Sequence, residues 1–424
     1  MRILLINQTW FTKELREMGH EVYSCGTSSH LDIVLPSPLV HVDHLLNHLP
    51  NGFRPDRIVW LDNSAPMSII GIEDCEVPTL FYSIDTHHHY LTHSHIATCF
   101  DHALVAHKDF ISELTHYGTP TTWLPLWASE YMESSRDKKH GAVFVGTLNR
   151  KLNPDRVDFF ERLQPIAPIE VLTGHFPSIF PFAEIVVNQT VKGDLNFRVF
   201  EAMMSGALLL TEEAGHGLLE LFQDGTHLIT YKRGNAEDAA QKIKELLANP
   251  SRMHAIAHAG REEILAKHLP IHRAQTIEKL LAQLTKRERP SYRHYGAVVS
   301  LLSLSCMLDE INSAVAGELT IIALESARRG LREGAQPTNI QGSYIMKTCL
   351  RHDAFTKQSD GATLIQQFAD TFPESQLFSL LRIRALLNQG KTSEASKHAQ
   401  QLAAHTPLDV TFSTAEKAAQ FILE

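Results

Sequence analysis

Residues Asn188 to Glu213 read NQTVKGDLNFRVFEAMMSGALLLTEE. An apolar run, a polar turn, an amphipathic segment and a second apolar run follow one another, which is the repeat unit of a parallel α/β sheet. The run Glu184-Ile-Val-Val predicts a strand ending near Val187, and a loop with Gly193 and Asp194 follows it. A helix is expected from about Leu195 to Met204, stopped by Gly206, and Ala207 to Thr211 is the next strand. In such a sheet the loop lies at the carboxyl edge, where ligands bind. The first helical turn offers unpaired N–H groups and a positive dipole end, so a diphosphate can dock there. Arg198 adds a guanidinium fork, and Glu201, further along the helix, can accept both hydroxyls of a ribose.

The same alternation extends outward in both directions. From residue 1 to 128, β-rich runs (Ile3 to Ile6, Glu21 to Ser24, Arg57 to Leu61, Thr79 to Ile84, Ala103 to Ala106, Thr122 to Leu126) alternate with helical spacers. A polar stretch, 129–140, reads as a linker, and a second α/β domain spans 141–285. Three helices are expected to close it, over Ala236 to Ala248, Ser251 to Lys267 and Ile271 to Thr285. The charged run Lys286-Arg-Glu-Arg-Pro marks a further break before 291–424, where apolar spacings of three and four predict an all-helical region. Within it, Leu380 to Pro407 has the spacing of one tetratricopeptide helix pair, with a plain helical bundle as the other reading. The predicted fold class is therefore α/β, two Rossmann-like domains, followed by an all-α domain.

A length of 424 residues calls for two or three domains, and 43% hydrophobic with 21% charged residues is the balance of a folded chain. The formal net charge of -9 argues against a nucleic-acid partner. Five scattered cysteines without CxxC spacing fit reduced thiols in a cytoplasm, and the N-terminal apolar run is too short for a signal peptide or a membrane span. The first strand is followed by Asn7-Gln8-Thr9-Trp10 and not by a glycine-rich fingerprint, so no dinucleotide cofactor is expected in the first domain.

Several segments carry a family resemblance. The run NFRVFEAMMSGALLLTEE followed by GLLELFQDGTHLITY (Gly217 to Tyr231) is similar to the second domain of group 1 glycosyltransferases of the GT-B arrangement. DHALVAHKDF (Asp101 to Phe110), WLPL (Trp123 to Leu126) and FVGTLN (Phe144 to Asn149), with Arg156 beyond, resemble the spore-maturation CgeB-like branch. The matching segments run in order from about residue 56 to 285. The resemblance implies transfer of a sugar from a nucleotide diphosphate donor, without an essential metal or other cofactor. It gives Glu201 the second position of an E-x7-E motif, a ribose contact. The first glutamate falls at Gly193, and Asp194 stands next to it. The donor-binding set it implies is Gly146, Thr147, Arg156, Asp194, Asn196, Phe197, Arg198 and Glu201, with Arg156 and Arg198 preferred over Arg150 and Lys151 for the pyrophosphate.

The run Asp85-Thr-His-His-His-Tyr, with His93 and His95 beyond, invites a metal reading. No cysteine or second carboxylate cluster supports it, and no metal ligands are expected. Instead, Asp85 and His87 are the candidates for handling the acceptor proton, in a cleft wall at the end of the Thr79 to Ile84 strand. Two rival functions share the fold: a nucleotide-sugar-binding scaffold without transfer, and a nucleotide-sugar epimerase. The helical tail suggests a protein acceptor or partner.

Overall fold

The computed structural model describes residues 1–64 and 68–405. Nine strands precede the first linker: β1 (Arg2–Ile6), β2 (Glu21–Gly26), β3 (Ile33–Val34), β4 (Leu39–His41), β5 (Arg57–Leu61), β6 (Ser68–Ile70), β7 (Thr79–Ser83), β8 (His102–Val105) and β9 (Thr121–Trp123). Seven form one parallel sheet in the order β3-β2-β1-β5-β7-β8-β9, and β4 pairs with β6 in a small parallel ribbon. Helices α1 (Thr12–Glu17), α2 (Val42–Asn47), α3 (Thr86–Ile96) and α4 (Ile111–His116) belong to this domain. Both faces of the central strands are covered, as a parallel sheet requires: Leu5, Val59 and Tyr82 face one core, whereas Ile58, Trp60 and Phe81 face another.

The second sheet has the order β11-β10-β12-β13-β14, again wholly parallel. Its strands are β10 (His140–Val145), β11 (Ile169–Leu172), β12 (Ala183–Asn188), β13 (Leu208–Glu212) and β14 (Ile229–Tyr231). Helices α5 (Pro154–Leu163), α6 (Phe197–Met204), α7 (Leu218–Leu221), α8 (Ala236–Leu247), α9 (Pro250–Lys267) and α10 (Pro270–Gln283) surround it. The last of these crosses back to the first domain, where it packs on α1 and its Leu281 carbonyl accepts a bond of 2.8 Å from the Arg57 guanidinium. One continuous apolar core consequently runs from β1 through Leu124, Leu126 and Trp127 into α6 and α10.

The tail folds as α11 (Arg293–Leu308), α12 (Ser313–Arg332), α13 (Asn339–Thr356), α14 (Asp360–Thr371), α15 (Gln376–Asn388) and α16 (Thr392–His405), each packed on the next. The pair α15–α16 turns at Gly390, whose φ of +74° suits glycine, and Pro407 of the expected repeat unit lies outside the described residues. The charged run before the tail is anchored at several points. Arg289 makes a fully buried ion pair with Asp101 at 2.7 Å and donates to Thr79 Oγ1 and the Ile72 carbonyl, while Arg287 donates to the carbonyls of Phe100 and Gly118. The tail is thus fastened to the first domain, and α11 packs directly against α3. Among the described residues no helix is long and apolar enough to cross a membrane, and the five cysteines are unpaired.

Candidate functional site

Strand order reverses in the second domain between β10 and β12, and the crevice beyond the carboxyl ends of such a pair is where α/β sheets bind ligands. Two segments meet there: the turn after β10, beginning at Gly146, and the loop of residues 189–196 after β12. The loop is held from below. Glu212, 1% exposed, accepts from the Thr190 backbone N–H at 2.8 Å, from the Thr190 hydroxyl, and from the Gly234 N–H at 3.1 Å. Asp194 accepts from the Val191 N–H at 2.6 Å, and burial pushes its carboxyl up to about 6. Lys192 and Gly193 both have positive φ, 55° and 80°. A side chain at Gly193 would also meet the Arg233 guanidinium at 3.0 Å. A glutamate at this first position of the implied motif would be strained, because the loop turns through a left-handed conformation there, against an arginine.

Asn188, at the end of β12, organises the arginines. Its side-chain oxygen accepts from Arg198 at 2.9 Å and from Asn196 at 3.3 Å, and its amide donates to Thr211. Arg198 donates further to the Val145 carbonyl at 3.0 Å and lies 4.8 Å over the Phe144 ring. Arg156, from α5, lies 5.6 Å over the same ring and holds Gln189 through its side-chain and backbone oxygens. Burial, with the neighbouring Arg156 charge, pulls the Arg198 guanidinium down to about 10, so it stays cationic at neutral pH. Burial lowers Arg156 as well. Among the described residues neither arginine has a carboxylate ion partner within 4 Å, whereas Arg150 is taken up on the surface by Asp158 and Glu161. Two adjacent guanidiniums with no carboxylate among the described residues within 4 Å, on which Asp194, Glu201 and Glu212 act only from further away, stand beside the start of α6, an arrangement that can attract an anion. Gly146 is required beside them, because a Cβ there would sit 2.9 Å from the Phe144 ring and 3.1 Å from Arg198.

The other candidates are dispersed. The helix begins at Phe197, with Asn196 as its N-cap residue in extended conformation, two residues later than the sequence pattern suggests. The Phe197 ring packs edge-on against Trp127 at 5.2 Å and lies 6.5 Å from Trp10, on the seam with the first domain. Glu201 is 8% exposed and accepts from the Ser129 hydroxyl of the linker at 2.6 Å, while burial raises its carboxyl. Thr147 is exposed at the turn.

Across the cleft, the histidine run is the first part of helix α3 and not a strand end, so its side chains fan around a helix. Asp85 precedes the helix and accepts from the Ser64 hydroxyl. His87 is buried, with Nδ1 unpartnered, and burial together with the charges of His88, His216 and Lys192 holds its imidazole down to about 3. Lys192 therefore acts electrostatically on His87 from the second domain's loop. Two further histidines, not singled out by the sequence, join this wall: His107 lies 4.6 Å from His87 and 4.9 Å from His216, ring to ring. His216 comes from the second domain, with Asp109 of the first domain 3.3 Å from its Nδ1. Their signal was position: His107 follows β8 and His216 lies in the loop after β13, both at carboxyl ends. Glu73, Asp74 and His294 are close enough to share an ion, but they lie away from the cleft at the tail junction, where Arg293 and Arg329 already pair with Asp74.

The segment that supplies the loop, Arg198 and α7 to α10 also has a family match. Residues 169–279 match the family model described as glycosyl transferase-like. The match spans β11 through α10, including the whole loop of residues 189–196. No curated protein matches the chain. Among solved structures, HepE of Anabaena in complex with UDP-glucose is similar at 12% identity, covering 67% of this chain and all of that one, with a TM-score of 0.46. Sucrose-phosphate synthase of Thermosynechococcus elongatus is similar at 11% identity over 67% of this chain and 98% of that one, TM-score 0.47. A glycosyltransferase of Rickettsia africae is similar at 12% identity over 68% and 99%, TM-score 0.47.

Proposed function

We propose that the protein is a glycosyltransferase that takes a sugar from a nucleotide diphosphate donor and passes it to a hydroxyl acceptor held by the first domain. The observation that carries this reading is the Arg156–Arg198 pair: two adjacent cations with no carboxylate among the described residues within 4 Å, at the switch point of a sheet four of whose strands, with Arg198 but not Arg156, lie in the segment 169–279 that matches a glycosyl transferase-like family. In this reading Arg156, Arg198 and the N–H groups at Asn196 and Phe197 face the diphosphate, the Gly146–Thr147 turn lets it approach, and Glu201 faces the ribose. Asp194 braces the loop. Fixed positive groups at the departing diphosphate stabilise charge that grows in the transition state, so no metal is required for that purpose.

In the transfer step the acceptor oxygen forms a bond to the anomeric carbon while the bond from that carbon to the diphosphate oxygen breaks. The diphosphate leaves with the electron pair, and the acceptor proton passes to the Asp85 carboxylate. His87, which burial makes a weak base by holding its imidazole down to about 3, acts as a hydrogen-bonding group of the cleft wall. A second reading, a nucleotide-sugar-binding scaffold without transfer, draws on Gly193, which leaves one expected carboxylate out of the site. Incubation of the full chain with UDP-, GDP- and dTDP-sugars tests both. Release of free nucleotide diphosphate with appearance of a glycosylated acceptor is expected, whereas tight binding with no turnover over a broad acceptor panel would leave the scaffold. Isomerised donor without acceptor would indicate the epimerase.

A further inference from the structure

A cavity of about 250 Å³ lies between one face of the first sheet, toward the carboxyl ends of β5 and β7, and the helices α3 and α11. Its apolar wall is made by Trp60 and Phe81, which are register partners on adjacent strands, with ring centroids 6.3 Å apart at 70°. Its polar groups from the first domain are Asp62, Ser64, His89, Thr92 and His93, and Ser300 and Ser303 of α11 line it from the tail. Asp62 is fixed by three backbone N–H groups, those of Ser64 at 2.9 Å, Ile84 at 3.1 Å and Asp85 at 3.2 Å. His93 is oriented through Nδ1 by the Ser83 hydroxyl at 2.8 Å.

We infer that α11 of the tail completes an acceptor pocket in the first domain that takes one neutral, hydroxyl-rich ring, a sugar or a cyclitol. Its role as the acceptor pocket rests on the transferase reading above. Trp60 and Phe81 give an apolar wall for C–H groups, the Asp62 carboxylate and the His93 imidazole can pair with ligand hydroxyls, and the hydroxyls of Thr92 and Ser303, whose protons go to the His89 and Val299 carbonyls, can accept from them. Among the described residues no lysine or arginine lines the cavity, in contrast to the donor side, which disfavours a phosphorylated ligand. The space is smaller than the roughly 300–1,000 Å³ of drug-sized sites, so it suits a single ring and not a peptide segment. Ser64 lines this cavity and donates to the Asp85 carboxylate, which puts the proposed proton acceptor at its rim.

Saturation-transfer NMR on the full chain with glucose, N-acetylglucosamine, rhamnose and myo-inositol tests this, together with calorimetry of UDP binding. At least one ring is expected to bind, and the double substitution Ser300→Leu/Ser303→Leu, which fills the cavity from α11, should weaken it tenfold or more while UDP affinity stays within twofold. Thr92→Leu fills the cavity from α3 and should reproduce the effect if the double variant is unstable. No ring binding to the wild-type chain, ring binding indifferent to filling, or normal transfer to a protein acceptor in the filled variants would each overturn the inference. Ring binding that filling abolishes, in a chain that does not bind UDP, would support the pocket and sink the donor reading instead.

Discussion

The two parallel sheets present their carboxyl edges to one cleft, yet the edges are built from opposite chemistry. The second domain's edge is cationic: Arg156 and Arg198 both lie over the Phe144 ring, with Lys192 and Arg233 on the loops beside them. Its carboxylates, Glu212 and Asp194, are turned inward as braces of the loop. Among the described residues the first domain's edge has no such guanidinium pair and is lined by Asp62, Asp85 and the histidines His87 and His107, which burial holds neutral. The difference teaches how the proposed transfer would divide between the domains: in that reading the cationic edge faces the diphosphate and the other edge faces the acceptor.

The largest expected effect lies on the first edge. Asp85→Asn should lower kcat by ~10²–10⁴-fold, the usual contribution of a positioned base, with UDP affinity unchanged by calorimetry. A rate within threefold of wild type would remove Asp85 from the proton path. On the second edge, Arg198→Ala should weaken UDP binding about a hundredfold, from the loss of charge-assisted hydrogen bonds worth ~1.5–3 kcal/mol. Arg150→Ala, whose guanidinium is occupied by Asp158 and Glu161, should leave that affinity intact. Equal losses in the two variants would mean that general charge, and not a built site, attracts the nucleotide.

Smaller effects test the frame that carries each edge. Gly193→Glu restores the carboxylate of the implied motif but forces a side chain onto a left-handed residue against Arg233, so thermal unfolding should show a loss of ~1–2 kcal/mol. Faster transfer without loss of stability would contradict this account of the loop. The edges should also titrate with opposite sign. Burial holds His87 down to about 3, so the stability it contributes is present above pH ~6.5 and is lost as pH falls toward that value. Asp194, raised to about 6, favours the folded state when protonated, a contribution lost as pH rises through 6. Urea midpoints followed from pH 7 to 4.5 should therefore fall, and His87→Gln should flatten the slope by at most ~1.4 kcal/mol per pH unit. An unchanged slope would show that His87 is not kept neutral.

Much of the second edge was legible in the sequence because its parts are contiguous. Strand, loop, Arg198 and Glu201 lie within one α/β unit, and local periodicity places them on one edge without knowledge of any other segment. Arg156 was reachable through its own strand–turn–helix unit. The linker's hold on Glu201 through Ser129 and the turning of Phe197 toward Trp10 were not legible, because both depend on how the two domains meet. The histidine run shows the same limit on a smaller scale: a run of polar residues carries no period, so helix and strand end looked alike until α3 was seen to pack on α4 and α11.

The charged run 286–290 marks the boundary most sharply. By composition it resembles a solvated linker, yet Arg289 is buried against Asp101 and fastens the tail to the first domain. Its counter-charge lies nearly two hundred residues away, and burying such a pair is tolerated only when the partners and their hydrogen bonds are assembled together. The sequence by itself determined what adjacent residues can determine: two parallel α/β domains, a helical tail, and a cationic loop at the edge of the second sheet. Only the tertiary structure decided which face of the first sheet is closed by α11, which carboxylates brace and which face the cleft, and where the histidines of the two domains meet. Those features are set by contacts between distant segments, on which local periodicity carries no information.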